Sequence, residues 1–157
     1  MKPEHEHPII KYSELAAQRR GEILSKTINL EKIIDGFISK SFLQDEKKRI
    51  ELENLIIEGL PFAQKLLVLF NILDNHYSDI QKLHPKLKSD LEKIRKERNI
   101  MAHSWLDVSP TYVYKRKKSN QKISILIKNG KSIEYDPKRV KALSDLILKY
   151  TIVLMYW

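Results

Sequence analysis

The chain has no cysteine, so it can form neither a disulfide nor a thiolate metal site. Four glycines in 157 residues leave no glycine-rich loop of the kind that cradles a nucleotide phosphate. No apolar run is long enough to span a bilayer. The greasiest window, Leu143 to Trp157, still holds Asp145 and Lys149. The opening Met1-Lys2-Pro3-Glu4-His5-Glu6-His7-Pro8 lacks the apolar centre of a signal peptide. Repeats and low-complexity tracts are missing as well. These absences point to a cytoplasmic protein with no membrane partner.

What is present is positive charge. Twenty-nine Lys and Arg against 20 Asp and Glu give a formal net charge of +9. Such a surplus favours contact with polyanions such as RNA. Lys115, Arg116, Lys117, Lys118 and Lys122 fall within eight residues, and Arg95 and Arg98 share one predicted helix. A solvated hairpin turn explains the first cluster as well as a contact to an RNA backbone does. Glu92 and Glu97 dilute the second cluster.

The length suits one domain with its own core. Residues 1–10, broken by Pro3 and Pro8, read as a flexible tail, and residues 11–157 as the domain. A long helix is expected from Ser13, its N-cap, to an end between Ser39 and Phe42, with Ile23, Leu30, Ile34, Phe37 and Ile38 inward and Ile28 at the flank. A short or irregular helix follows between Gln44 and Glu58. Gly59-Leu60-Pro61 breaks the chain. Phe62 to about Asn75 is apolar nearly all round and is expected to be the buried centre. After His84-Pro85, a helix from Lys86 to Ser104 is expected.

Beyond Asp107 the pattern changes. Thr111 to Tyr114, Ile123 to Ile127 and Lys131 to Tyr135 read as strands, the last two joined at Asn129-Gly130, a strong hairpin signal. Asp136 and Pro137 then suit the N-cap and first position of a final helix. Its core face is Val140, Leu143, Ile147, Tyr150, Leu154 and Trp157. The expected fold is therefore mainly α: an antiparallel helical bundle with a small β-hairpin or meander, residues 108–136, before the last helix.

The chemistry concentrates in Arg98-Asn99-Ile100-Met101-Ala102-His103-Ser104. Leu87, Leu91, Ile94, Met101 and Trp105 form one apolar face, and Arg98 sits where the next apolar residue belongs. A guanidinium turned inward needs partners. Glu31, Asp35, Glu51 and Glu58 are candidates, which would make Arg98 half of an ion pair. Histidine is the side chain whose ordinary pKa lies near neutrality, so His103 can move protons, yet a histidine at a helix C-terminus is also favoured by the dipole alone. Arg98 and His103 lie about 140° apart around an ideal helix, whereas Asn99 and His103, at i and i+4, share a face. Ser104 reads as a cap, and Trp105 as a core or dimer-interface aromatic. His76 and His84 have no partner at ligand spacing. His5 and His7, with Glu4 and Glu6, belong to the tail.

Arg-Asn-x-x-x-His near the end of a helix resembles the Arg-x4–6-His motif of the HEPN superfamily (higher eukaryotes and prokaryotes nucleotide-binding). The resemblance extends from about Leu15 to the C-terminus as an order of helices, and only Arg95 to Ser104 is specific. It implies a HEPN-like bundle and a metal-independent endoribonuclease with Arg98, Asn99 and His103 as the catalytic set. Such enzymes are often toxins or phage-defence effectors. The resemblance also implies a homodimer in which two motifs meet, an antitoxin or nucleotidyltransferase partner, and no metal or cofactor. Arg95, Lys115, Arg116, Lys117, Lys118 and Lys122 would hold RNA. Other members bind a protein or nucleotide and cut nothing. The mannitol-operon regulators, with a similar Arg-Asn-x-x-Ala-His segment, make a non-catalytic regulator the alternative.

Overall fold

The computed structural model describes residues 7–113, 121–127 and 130–157. The fold is mainly helical, with a three-stranded antiparallel sheet inserted before the final helix. In order come α1 (Pro8–Phe42), α2 (Glu46–Leu52), which runs on as a π-helical turn over Glu53–Ile57, α3 (Phe62–His76), α4 (Ser78–Leu83) and α5 (Leu87–His103). Then follow β1 (Trp105–Leu106), the single turn α6 (Pro110–Val113), β2 (Ile123–Leu126), β3 (Ser132–Tyr135) and α7 (Pro137–Met155). The chain separates into two compact units. One comprises Met1–Ser25 and Arg98–Ser144, the other Lys26–Glu97 and Asp145–Trp157.

The first unit holds the sheet. Its order is β1-β2-β3, with Trp105 opposite Leu126, Leu106 opposite Ile125, and Ile125 opposite Ile133. Ile123 and Ile125 of β2 are fully buried. Ser124, between them, is buried as well and has its polar groups met. Its N–H donates to the Tyr12 hydroxyl at 2.9 Å, its Oγ donates to Asp107 at 3.3 Å, and its carbonyl accepts from the Asp107 N–H at 2.9 Å. A buried polar group without such partners would cost on the order of 1–3 kcal/mol. Gly130, at φ 70°, supplies the left-handed residue that the β2–β3 turn requires.

The second unit is helical. Leu30, Ile34, Leu66, Leu69, Leu73, Leu91 and Ile94 are all fully buried. A charged triad lies among them. Glu31 and Asp35, one turn apart on α1, both take Lys65 of α3, at 3.0 and 2.9 Å from its Nζ. Tyr150 of α7 donates to Asp90 of α5 at 2.7 Å, and burial, with that acceptor second, raises its pKa. Phe37 meets Tyr77 at 5.2 Å between ring centroids.

Several expectations from the sequence are met. α1 ends at Phe42, the segment after it is irregular, and Asp136 caps α7 by accepting from the Arg139 N–H at 2.7 Å. Others need correction. Helix α1 opens at Pro8 rather than Ser13, because proline suits the first helical position and His7 caps it, its carbonyl accepting from the Ile10 N–H at 2.9 Å. α3 is one-sided, with Leu67 exposed, and α4 has no counterpart in the sequence pattern. Thr111 to Val113 are helical, not a strand. Pro110 starts that turn, and Asp107 accepts from the Ser109 N–H at 3.1 Å just before it. The strand partner of β2 is instead Trp105-Leu106. Trp157 lies beyond the end of α7 and is 42% exposed. Residues 1–6 of the expected tail, Tyr114 and Asn129 lie outside the described residues.

Candidate nucleic-acid interface

Helix α5 buries the apolar face that its spacing predicts. Leu87, Leu91, Ile94 and Met101 are buried. Arg98, in the gap, is half-buried, and its Nη1 donates to Asn99 Oδ1 at 3.2 Å. The carboxylates suggested as its partners are otherwise engaged or exposed: Lys65 takes Glu31 and Asp35, Lys32 takes Glu58 at 2.7 Å, and Glu51 is exposed. Arg98 is thus a guanidinium held by a neutral amide, with its charge uncompensated by a carboxylate among the described residues.

The end of α5 is tied down by a residue that the sequence did not suggest. Arg20 of α1 donates from Nε to the Met101 carbonyl at 2.7 Å and from Nη2 to the Ser104 carbonyl. The last carbonyls of a helix have no partner within it, and a cation there also meets the negative end of the helix dipole. Arg20 lies 81 residues from Met101 in sequence and carries no local signature.

Asn99 and His103, one turn apart on α5, open onto one cleft of about 690 Å³ together with Ile100, Ser104, Trp105, Leu126 and Ile127. That volume falls within the roughly 300–1,000 Å³ common to ligand sites. His103 is exposed. Arg98 does not line the cleft and reaches it through Asn99. Trp105 is not a core residue: it is 81% exposed on β1, at the cleft.

The expected RNA-binding residues fare differently. Arg95 is paired with Glu92 at 2.8 Å, and Lys122 with Glu134 at 3.2 Å. Glu134 also accepts from the Tyr112 hydroxyl, and these two donors hold its carboxyl below the usual range. Lys115, Arg116, Lys117 and Lys118 lie outside the described residues. Among the described residues, no three His, Asp or Glu side chains are grouped as metal ligands would be. No helix among them is long and apolar enough to cross a membrane.

Charge divides unequally between the two units. The one with the cleft contains fifteen of the 29 Lys and Arg and seven of the 20 Asp and Glu, a net +8 of the chain's +9. The other has fourteen basic residues against thirteen acidic ones, a net +1. Sequence order conceals this, because each unit is built from two separated segments. No family model, curated protein or solved structure matches this chain.

Proposed function

We propose that this protein is a metal-independent endoribonuclease that works through His103, Asn99 and Arg98. The observation that carries the reading is one cleft, in the strongly basic unit, lined by both Asn99 and His103, with Arg98 bonded to Asn99. His103 takes the proton from a ribose 2′-hydroxyl, and that oxygen attacks the adjacent phosphorus. The bond from phosphorus to the 5′-oxygen breaks. A second acid protonates the leaving oxygen, and the products are a 2′,3′-cyclic phosphate and a 5′-hydroxyl. Arg98 stabilises the charge gathering on the phosphoryl oxygens, and Asn99 holds Arg98 while facing the substrate.

The resemblance to HEPN proteins supports this assignment and adds a setting: a toxin or phage-defence effector, acting as a homodimer in which a second copy's motif supplies the second acid. Its partner would be an antitoxin or nucleotidyltransferase. Purified protein should cut RNA in EDTA, leave DNA intact for want of a 2′-hydroxyl, and lose cutting in His103→Ala. Intact RNA with the wild-type protein, or equal cutting by His103→Ala, sinks the reading. Light scattering that finds only monomers sinks the dimer.

One observation favours a second reading, a non-catalytic module binding a protein, nucleotide or nucleic acid. Four of the seven cleft residues, Ile100, Trp105, Leu126 and Ile127, are apolar, and Arg98 stands outside it. RNA bound tightly and left whole would establish that alternative.

A further inference from the structure

Trp105 is the most exposed side chain of the cleft whose exposure its size makes costly. An indole is large and mostly apolar, and leaving it 81% exposed forfeits much of what its burial would contribute. It is also held in place. The Ser104 carbonyl, just before it, accepts from Arg20, and the Asp107 N–H, two residues after it, donates to the Ser124 carbonyl at 2.9 Å. The β1–β2 register sets Trp105 opposite Leu126, so both project from the same face of the sheet, and both line the cleft. The backbone that carries the indole is thus pinned on both sides, which confines the ordering cost of association to the side chain itself.

We propose that Trp105 is the platform on which one unstacked base of single-stranded RNA lies, beside the Asn99 and His103 side chains that face the backbone to which it is attached. The substrate class rests on the ribonuclease reading; the stacking does not depend on cleavage. Three features on this surface fit that occupant. Bases have a flat π face that an indole accepts whatever their identity. The unit's net +8 attracts the polyanionic backbone to which the base is attached. Three of the seven lining residues are polar and the rest apolar, the mix found at sites where a few polar groups fix the position of a largely apolar ligand. Bases of a duplex are already stacked and paired, so a duplex cannot occupy the platform.

The chain has two tryptophans, so the full chain carrying Trp157→Phe leaves Trp105 as the only indole emitter. Titrating it with a 2′-O-methyl RNA octamer separates binding from chemistry, because that strand has no nucleophilic hydroxyl. Single strand should quench Trp105 emission, and the same sequence as a duplex should not. Anisotropy of the labelled octamer should show Trp105→Ala binding about 5- to 150-fold more weakly, the range supported by base–aromatic stacking. Trp105→Phe should keep most of the affinity, and its thermal melt should match the parent's. Binding without quenching, an unchanged affinity in Trp105→Ala, or no binding by the parent overturns the platform. Unchanged octamer affinity in Trp105→Ala alongside cutting of ordinary RNA would overturn the platform and leave the ribonuclease standing. Quenching without cutting would do the reverse.

Discussion

Arg20 donates to the Met101 carbonyl at 2.7 Å and thereby fixes the turn of α5 that carries His103. The same guanidinium also serves the Ser104 carbonyl. One side chain from the start of the chain closes a helix end two-thirds of the way along it. The position of the candidate proton-transfer residue therefore depends on a hydrogen bond from outside the motif.

Removing that bond should loosen the site. Arg20→Ala leaves the Met101 and Ser104 carbonyls without their charged donor, each such bond being worth on the order of 1.5–3 kcal/mol. The melting temperature should fall, and hydrogen exchange at the amides of Met101 to Trp105 should quicken more than elsewhere. Cutting of RNA should fall with it. Arg20→Lys should not restore the end, since a single ammonium cannot reproduce the planar fork. An unchanged exchange rate in this segment would show that the bond does not hold it.

Arg98→Ala should behave in the opposite way. Arg98 has an amide partner and no carboxylate among the described residues, so its loss strands no buried charge. Stability should change by less than about 0.5 kcal/mol, while cutting falls by about 10²–10³-fold, as when a charge-stabilising donor is removed. A drop of several kcal/mol in a denaturant titration would mark Arg98 as structural instead.

Lys65 is where a buried charge does matter. Lys65→Met would leave Glu31 and Asp35 without their cation, at a cost of about 3–5 kcal/mol. Asp35 already has its pKa raised, burial outweighing the hydrogen bond from Lys65, and without Lys65 it should rise further. A carboxyl whose folded pKa exceeds its unfolded one contributes stability that is complete below the unfolded value and lost as pH rises through the folded one. The variant should therefore regain part of its deficit as pH falls from 8 towards 5, and Asp35→Asn added to it should remove that dependence. Urea melts across this range would decide it, and a deficit independent of pH would contradict it.

The helices are legible in the sequence because long amphipathic periods survive whatever packs against them: Leu87, Leu91, Ile94 and Met101 fall at helical spacing and are buried. The site's shape is not legible. Trp105 continues the α5 apolar spacing, so it reads as a core or dimer-interface residue, but the chain leaves the helix at Ser104 and puts the residue on a strand. Thr111 to Val113 are residue types that favour strands, yet Pro110 and the Asp107 turn direct a helical turn there. Arg20 and Lys65 find their partners across long stretches of sequence, where spacing carries no information.

Tyr112 offers a spectroscopic check on the sheet. Burial first, and its hydrogen bond to Glu134 second, push the phenol up to about 12. Its contribution to stability is present below the ordinary tyrosine value near 10 and lost as pH rises through about 12. In an absorbance titration at 295 nm, Tyr112→Phe should remove a late-ionising component, and Glu134→Gln should move that component earlier. If both variants titrate like the parent, the Tyr112–Glu134 bond is absent in solution.

The uneven charge gives the last test. If RNA is held by the unit that carries +8, then neutralising charges there must matter more than neutralising the same number elsewhere. Lys115, Arg116, Lys117 and Lys118 changed together to Gln remove half of that surplus. Lys40, Lys47, Lys48 and Lys86, all exposed in the other unit, are the control. For every phosphate that the protein no longer neutralises, the slope of log affinity against log salt should flatten by about 0.7 for single strands. The first set should weaken binding and reduce the slope, and the control set should leave both near the parent's values. Long-range steering acts on the whole molecule and so would lower both variants' association rates alike; a direct phosphate contact lowers only one variant's affinity and slope. Equal losses in the two variants would mean that net charge, rather than the particular basic residues of that segment, is what RNA recognises.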